Sequence, residues 1–172
     1  ISSECKLGII RYEGAADNHF KKMFEKNDLC YQPIADVKHV ISMSKESTLN
    51  KQDKISEADL QSYIQITHNN PYEASISVSD VTIAEQRKSA DRRIFVYDTA
   101  AQLELLSKNP ETFMWISPAP KSLLQRYGLV QRECTDNQKI YKDVLVFRKD
   151  YKMKKLDKLF LEKLFEAKEK HL

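Results

Sequence analysis

Glycine is scarce in this chain: Gly8, Gly14 and Gly128 are the only three among 172 residues. They lie far apart, so a glycine-rich loop cradling a phosphate or a dinucleotide is excluded. Cysteine is equally thin, and Cys5, Cys30 and Cys134 share no paired spacing, which excludes a zinc ribbon or a CxxC redox motif. The odd count favours reduced thiols in a cytoplasmic protein. No apolar run approaches the ~18 residues that a membrane-spanning helix needs, so no membrane association is expected. The nucleophile elbow and the zinc-binding His pair of common hydrolases are missing as well. Nor is there an excess of one charge: 28 basic residues are interspersed with 25 acidic ones, net +3, which is not the surface of a chain that grips nucleic acid. The opening residues Ile1-Ser2-Ser3-Glu4-Cys5 carry neither an initiator Met nor a signal-like apolar stretch, and read as the start of a fragment or a processed chain.

What is present is a globular balance, 41% hydrophobic and 31% charged, on a length that suits one domain of one core or two small lobes. The clearest local signal spans residues 94–132. A continuous apolar run, a capped amphipathic run and a second apolar run cut by Pro118 and Pro120 spell strand, helix, strand. The junctions of such a unit place polar residues on the ligand-facing edge of an open α/β sheet.

Around it, residues 7–12 form a short buried strand ended by Glu13-Gly14, and Ala16, Phe20, Met23 and Phe24 give residues 15–25 the apolar face of a docked helix. Val37, His39, Ile41 and Met43 alternate as one half-buried strand over 37–43. Ser56 opens a short helix to about Gln61 with an acidic first turn, and residues 63–66 make a brief strand. Residues 74–78 are a weak strand and 81–90 a helix capped by Asp80. Thr99 with Gln102 has capping-box spacing for a helix stopping at Asn109-Pro110, and residues 112–117 are a buried strand. Leu123, Leu124 and Tyr127 form a short helix face with Gly128 as its C-terminal cap, followed by residues 129–134 heading into another strand. Four successive apolar residues make 143–147 a central or bridging strand, and 154–171 a long amphipathic helix lying on the sheet through Leu156, Leu159, Phe160, Leu164 and Ala167. Strands alternating with helices indicate an α/β domain with a largely parallel sheet.

Few residues suggest chemistry. Asp17, His19 and His39 lie on a surface helix and in mid-strand, which gives them no metal or acid–base role, and Trp115 between Met114 and Ile116 is a core residue. The run Thr67-His68-Asn69-Asn70-Pro71 gathers hydroxyl, imidazole and two amides after a strand end. As an Asx-rich turn it satisfies its own backbone, the ordinary reading; as a polar loop it offers several donors to a small carboxylate or amide. Asp98 and Thr99 are helix caps first, and a helix N-terminus at a sheet edge is also an anion site. The lysines of the last helix are balanced by Asp157, Glu162, Glu166 and Glu169, a solvated face rather than a membrane anchor. No catalytic group and no cofactor site is visible in these patterns.

Several segments, in order along nearly the whole chain, resemble the effector-binding domain of LysR-type bacterial transcription regulators. They are Lys6-Leu7-Gly8-Ile9-Ile10-Arg11, residues 37–43, residues 55–66, Phe95-Val96-Tyr97-Asp98 with Asn109-Pro110, Thr112-Phe113-Met114-Trp115-Ile116-Ser117-Pro118, Tyr127-Gly128-Leu129-Val130 and residues 143–148. The resemblance implies a two-lobed fold like the type II periplasmic binding proteins, with two crossover strands and a small effector in the cleft. It further implies a cytoplasmic non-enzyme that self-associates as dimers or tetramers and meets DNA only through an N-terminal helix-turn-helix absent from this chain. On that basis residues 1–40 hold part of lobe one and the first crossover, 41–132 lobe two, and 133–172 the return crossover and the closing helix.

This chain departs from the family pattern in lacking the strand, helix, strand and helix that precede the segment at Leu7, so the first lobe is incomplete. Strand 7–12 is then an exposed edge open to pairing with another chain. Where the family carries His-Pro-Leu, this chain has Ser47-Thr48-Leu49. The effector contacts that remain are Arg11 and Tyr12 of lobe one, Thr67, His68, Asn69 and Asn70 of lobe two, and Asp98 with Thr99. Arg11 is suited to fork a carboxylate, so the expected effector is a small anionic metabolite. An extracytoplasmic solute-binding protein of the same fold is the alternative.

Overall fold

The structure, a computed structural model, describes residues 6–67 and 92–171. The expected strand at 74–78 and helix at 81–90 lie outside them. In chain order come β1 (Leu7–Glu13), α1 (Asp17–Lys26), β2 (Leu29–Lys38), β3 (Val40–Ser44), α2 (Glu57–Leu60) and β4 (Ile64–Thr67). After the gap follow β5 (Arg93–Phe95), α3 (Thr99–Lys108), β6 (Thr112–Ile116), α4 (Lys121–Tyr127), β7 (Leu129–Arg132), β8 (Ile140–Arg148) and α5 (Lys155–His171). The chain divides into two units, one from Ile1–Lys38 with Gln138–Leu172, the other His39–Asn137.

Unit one is built on a three-stranded antiparallel sheet in the order β1-β8-β2. β8 takes the centre because its Val144, Leu145 and Val146 are apolar on both faces and all three are buried. Val144 and Val146 meet the α1 side, where fully buried Phe24 packs with Tyr12, Phe20 and Met23. Leu145 faces the opposite way, into a cluster of Ile34, Ala35 and Val37 backed by Leu161 and Leu164 of α5.

One strand has no counterpart in the sequence reading, and two expectations are corrected here. β2 begins at Leu29 and runs through Pro33, which an edge strand admits, with a register shift between Pro33 and Ala35. The single strand expected over 37–43 is two strands in two sheets, parted at His39, because alternation persists through a change of partner. β1 is half-buried rather than buried: it lies at the edge of its sheet, with Ile9 50% exposed.

The last helix also differs in the face it buries. α5 carries two apolar stripes, and the one made of Leu161 and Leu164 takes the sheet, while Leu156, Leu159 and Phe160 are 75%, 49% and 45% exposed.

Unit two holds a five-stranded sheet in the order β5-β4-β6-β3-β7. β4 runs parallel to β5 and β6, whereas β3 is antiparallel to β6 and β7, so the sheet is mixed rather than largely parallel. Its two faces bury separate cores: Ile41, Met43, Leu49, Ile55, Leu60, Phe113 and Cys134 on one, Ile66, Leu103, Leu106, Met114 and Leu129 on the other. The local signals recur as read at Ser56, which forms a capping box with Asp59 on α2, and at Gly128, whose φ of 62° ends α4 in the left-handed region.

Candidate functional site

Parallel strands β4, β5 and β6 end on one edge of the unit-two sheet, the edge where polar termini converge in this architecture. Thr67 closes β4 and its carbonyl accepts the Val96 N–H at 3.0 Å. Three residues past β5, Asp98 caps α3: its Oδ1 accepts from the Ala101 N–H at 2.8 Å and its carbonyl from the Gln102 N–H at 3.0 Å. The structure therefore brings Thr67, Asp98 and Thr99 to the same edge. His68, Asn69 and Asn70 lie outside the described residues.

Of Asp98 and Thr99, both expected as caps, Asp98 is the N-cap. Asp98 has the extended backbone of an N-cap, and Thr99 is already the first helical residue. Gln102, expected to return to Thr99, is instead buried at 5% exposure and donates from Nε2 to the Val96 carbonyl at 2.8 Å. It fixes the β5–α3 turn from beneath. Gln131 serves the β6 end in the same way, donating to the Ser117 carbonyl at 3.2 Å and accepting from the Ala119 N–H at 2.9 Å. Neither glutamine was legible as a site residue, since a lone amide in an amphipathic pattern has no signature until the turn it supports is known. Phe95 and Tyr97, 57% and 62% exposed, stand on the same edge.

In unit one, Arg11 and Tyr12 are neighbours on β1 and point to opposite faces. Arg11 forks Asp143 of β8, with Nε to Oδ1 and an Nη to Oδ2 both at 2.6 Å, and this hydrogen-bonded pairing raises the guanidinium pKa further. The bidentate geometry expected toward a ligand carboxylate is formed here with an internal one. Tyr12 is 5% exposed, with its ring stacked on Phe20 at 4.2 Å and its hydroxyl donating to Asp17 at 2.8 Å. Burial, then that bond, raises the phenol pKa. Asp17 itself is held down to about 2 by Lys21, then Tyr12 and Lys142.

Two further side chains order the opposite end of β7. Arg132 donates to the carbonyls of Asn50, Gln52 and Asp53 at 2.9, 2.8 and 3.0 Å, gathering the loop after the 3₁₀ turn Thr48–Lys51. Cys134 is 1% exposed, and burial pushes its thiol up to about 12 while it donates to Asp136 Oδ1 at 3.0 Å. That thiol is a packing group, not a nucleophile. Among the described residues no group of three or more His, Cys, Asp or Glu gathers as metal ligands. The unit-two edge presents hydroxyls, main-chain groups at a helix start and one carboxylate, a set suited to reversible hydrogen bonding of a small molecule. Among the described residues no helix is long and apolar enough to cross a membrane.

No family model and no curated protein matches the chain. Solved structures do. The chain is similar to the effector-binding domain of QuiR in complex with shikimate, at 18% identity and a TM-score of 0.64, over 97% of this chain and 73% of that one. It is similar to the regulatory domain of MetR, a LysR family regulator from N. meningitidis, at 16% identity and a TM-score of 0.68, over 98% and 72%. The regulatory domain of Synechocystis CcmR in complex with 2-PG matches at 15% identity and a TM-score of 0.63, over 95% and 74%. These neighbours are regulatory domains. The chain accordingly has the fold of LysR-family regulatory domains, a two-sheet α/β architecture like that of the type II periplasmic binding proteins.

Proposed function

We propose that this chain is the effector-sensing and self-associating domain of a LysR-type transcription regulator, non-catalytic and cytoplasmic, acting on DNA through a helix-turn-helix carried elsewhere. The observation that supports it most is the likeness, over nearly the whole chain, to two regulatory domains that hold small ligands, shikimate in QuiR and 2-PG in CcmR. The proposed ligand is a small anionic or amide-bearing metabolite, contacted by Thr67, His68, Asn69 and Asn70 and by the α3 start at Asp98 and Thr99. Arg11 is the proposed contact from unit one; Tyr12, expected beside it, faces the α1 core with its hydroxyl on Asp17 and is not available to the same ligand. Because Arg11 already forks Asp143, an anionic ligand would share or displace that carboxylate. Binding then shifts the population between arrangements of the oligomer on DNA.

Thermal shift against shikimate, 2-PG and a pool of hydroxylated and phosphorylated acids tests this reading. A ligand at about 100 times its Kd should stabilise by about 2.7 kcal/mol. Thr67→Ala should weaken that ligand roughly five- to tenfold, as for one lost hydrogen bond. Stabilisation indifferent to both Arg11→Ala and Thr67→Ala removes the site assignment, and no stabilisation by any member of the pool removes the sensing reading.

A further inference from the structure

The last helix of unit one, α5, buries only one of its two apolar stripes. Leu161 and Leu164 lie on the sheet, while Leu156, Leu159 and Phe160 stay 75%, 49% and 45% exposed. At about 100° per residue the exposed stripe lies roughly 120° around the helix from the docked one, so the sheet cannot cover both. Its three large side chains are neighbours at i, i+3 and i+4, and exposed Ala167 extends the line about two turns further. A contiguous apolar patch of this kind marks a contact surface, unlike apolar residues exposed singly.

The charges beside the patch identify what fits it. On the Leu159 shoulder the exposed residues are Lys155 and Lys158 in the first turn, then Glu162, Glu166 and Glu169 along the rest. This order does not serve the helix itself. Lysine at a helix start opposes the dipole, and Lys158 ahead of Glu162 is the weaker orientation of an i, i+4 pair. Asp157, the acid of the first turn, is taken by the Tyr151 hydroxyl and the Lys154 N–H, both at 2.7 Å. Glu166 pairs with Lys163 of the same helix at 2.8 Å. The order does serve an antiparallel pair of identical helices, in which each shoulder meets the same shoulder of the other copy run in reverse. With the two-fold axis at Phe160, Lys158 comes level with Glu162 of the second copy, and Lys155 comes beside Glu166 of the second copy. A parallel pair cannot do this, since it keeps each residue level with its own counterpart.

We propose that the exposed stripe of α5 is the surface on which two copies of this chain associate, antiparallel about a two-fold axis. The proposal deepens the self-association included in the proposed function by naming its surface. Its test involves no ligand, so its failure leaves the sensing reading as it stands. With three large apolar side chains on each copy, the contact is smaller than a standard interface and correspondingly weak, and the dilute chain is a folded monomer.

Sedimentation velocity of the whole chain between roughly 1 and 300 µM, the range of weak pairs, should pass from monomer to dimer. Phe160→Asp and Leu156→Asp, at exposed positions, should each weaken the dimer at least about tenfold, while the circular dichroism spectrum and melting temperature of the dilute protein stay those of wild type. Lys155→Glu and Glu166→Lys should each weaken it on the order of fivefold. An equimolar mixture of these two variants should dimerise about as tightly as wild type, because their charges are opposite across an antiparallel pair. A chain that stays monomeric at every concentration, which leaves the face to another occupant, overturns the proposal. So does a dimer indifferent to Phe160→Asp, and so does a mixture that associates no better than its components.

Discussion

Asp17 shows how one surface carboxylate organises its neighbourhood. It accepts from Tyr12, pairs with Lys21 at 2.8 Å and meets Lys142 at 3.3 Å, and so ties α1 to β1 and β8. Its folded pKa of about 2 lies below the ordinary 3.8, so the carboxylate's contribution is present above pH 3.8 and is lost as the pH falls through 2. Asp17→Asn should therefore lower the melting temperature at neutral pH, and the gap to wild type should close between these two values; a constant gap across a pH series of calorimetric scans would show that the charge is not what matters. Cys134 and Cys30 differ at the same scale. Buried Cys134 has a thiol pushed up to about 12, whereas Cys30 is half-buried at the start of β2. Native-state alkylation followed by mass spectrometry should modify Cys30 at least about tenfold faster than Cys134. Of these residues the sequence showed only their types: the role of Asp17 depends on Lys142, 125 positions away, and no spacing rule connects them.

At the scale of elements, most ends were written locally. Ser56 with Asp59, Asn109-Pro110 and Gly128 each mark a boundary through a cap or a break that involves a few consecutive residues. Asp98→Ala should cost about 1 kcal/mol by urea unfolding through loss of the α3 cap. What periodicity did not reveal was which stripe of an element finds a partner. Leu106 of α3 is fully buried and Leu156 of α5 is 75% exposed, although both sit at helical spacing in apolar patterns. Leu106→Ala should cost about 2–5 kcal/mol, and Leu156→Ala should fall within about 0.5 kcal/mol of wild type. A large loss at Leu156 would mean that its face is covered in solution. β2 escaped sequence reading for a related reason: the penalty of Pro33 depends on whether a strand is central or at an edge, which is a property of the sheet.

In the whole molecule, the two units are assembled differently from the same thread. Unit two is one continuous stretch, His39–Asn137, while unit one needs both ends of the chain, because β8 stands between β1 and β2 and pairs with each. Removing residues 138–172 should therefore abolish hydrogen-exchange protection in β1 and β2 and leave that of β3 and β6 within about a factor of ten. Protection surviving in β1 after that truncation would contradict the central role of β8.

Taken alone, the sequence settled what neighbours along the chain can settle: an α/β alternation, the caps, the absence of glycine loops and paired cysteines, and an order of segments resembling one family of regulatory domains. Those features rest on local backbone preference and on patterns a few residues long. Only the tertiary structure decided that one alternating run is two strands of different sheets, that Arg11 is answered by Asp143, and that Gln102 and Gln131 hold turns together. Each of these is a hydrogen bond or pairing between groups set against one another by the fold, and a polar side chain carries no mark of its partner until the fold supplies it.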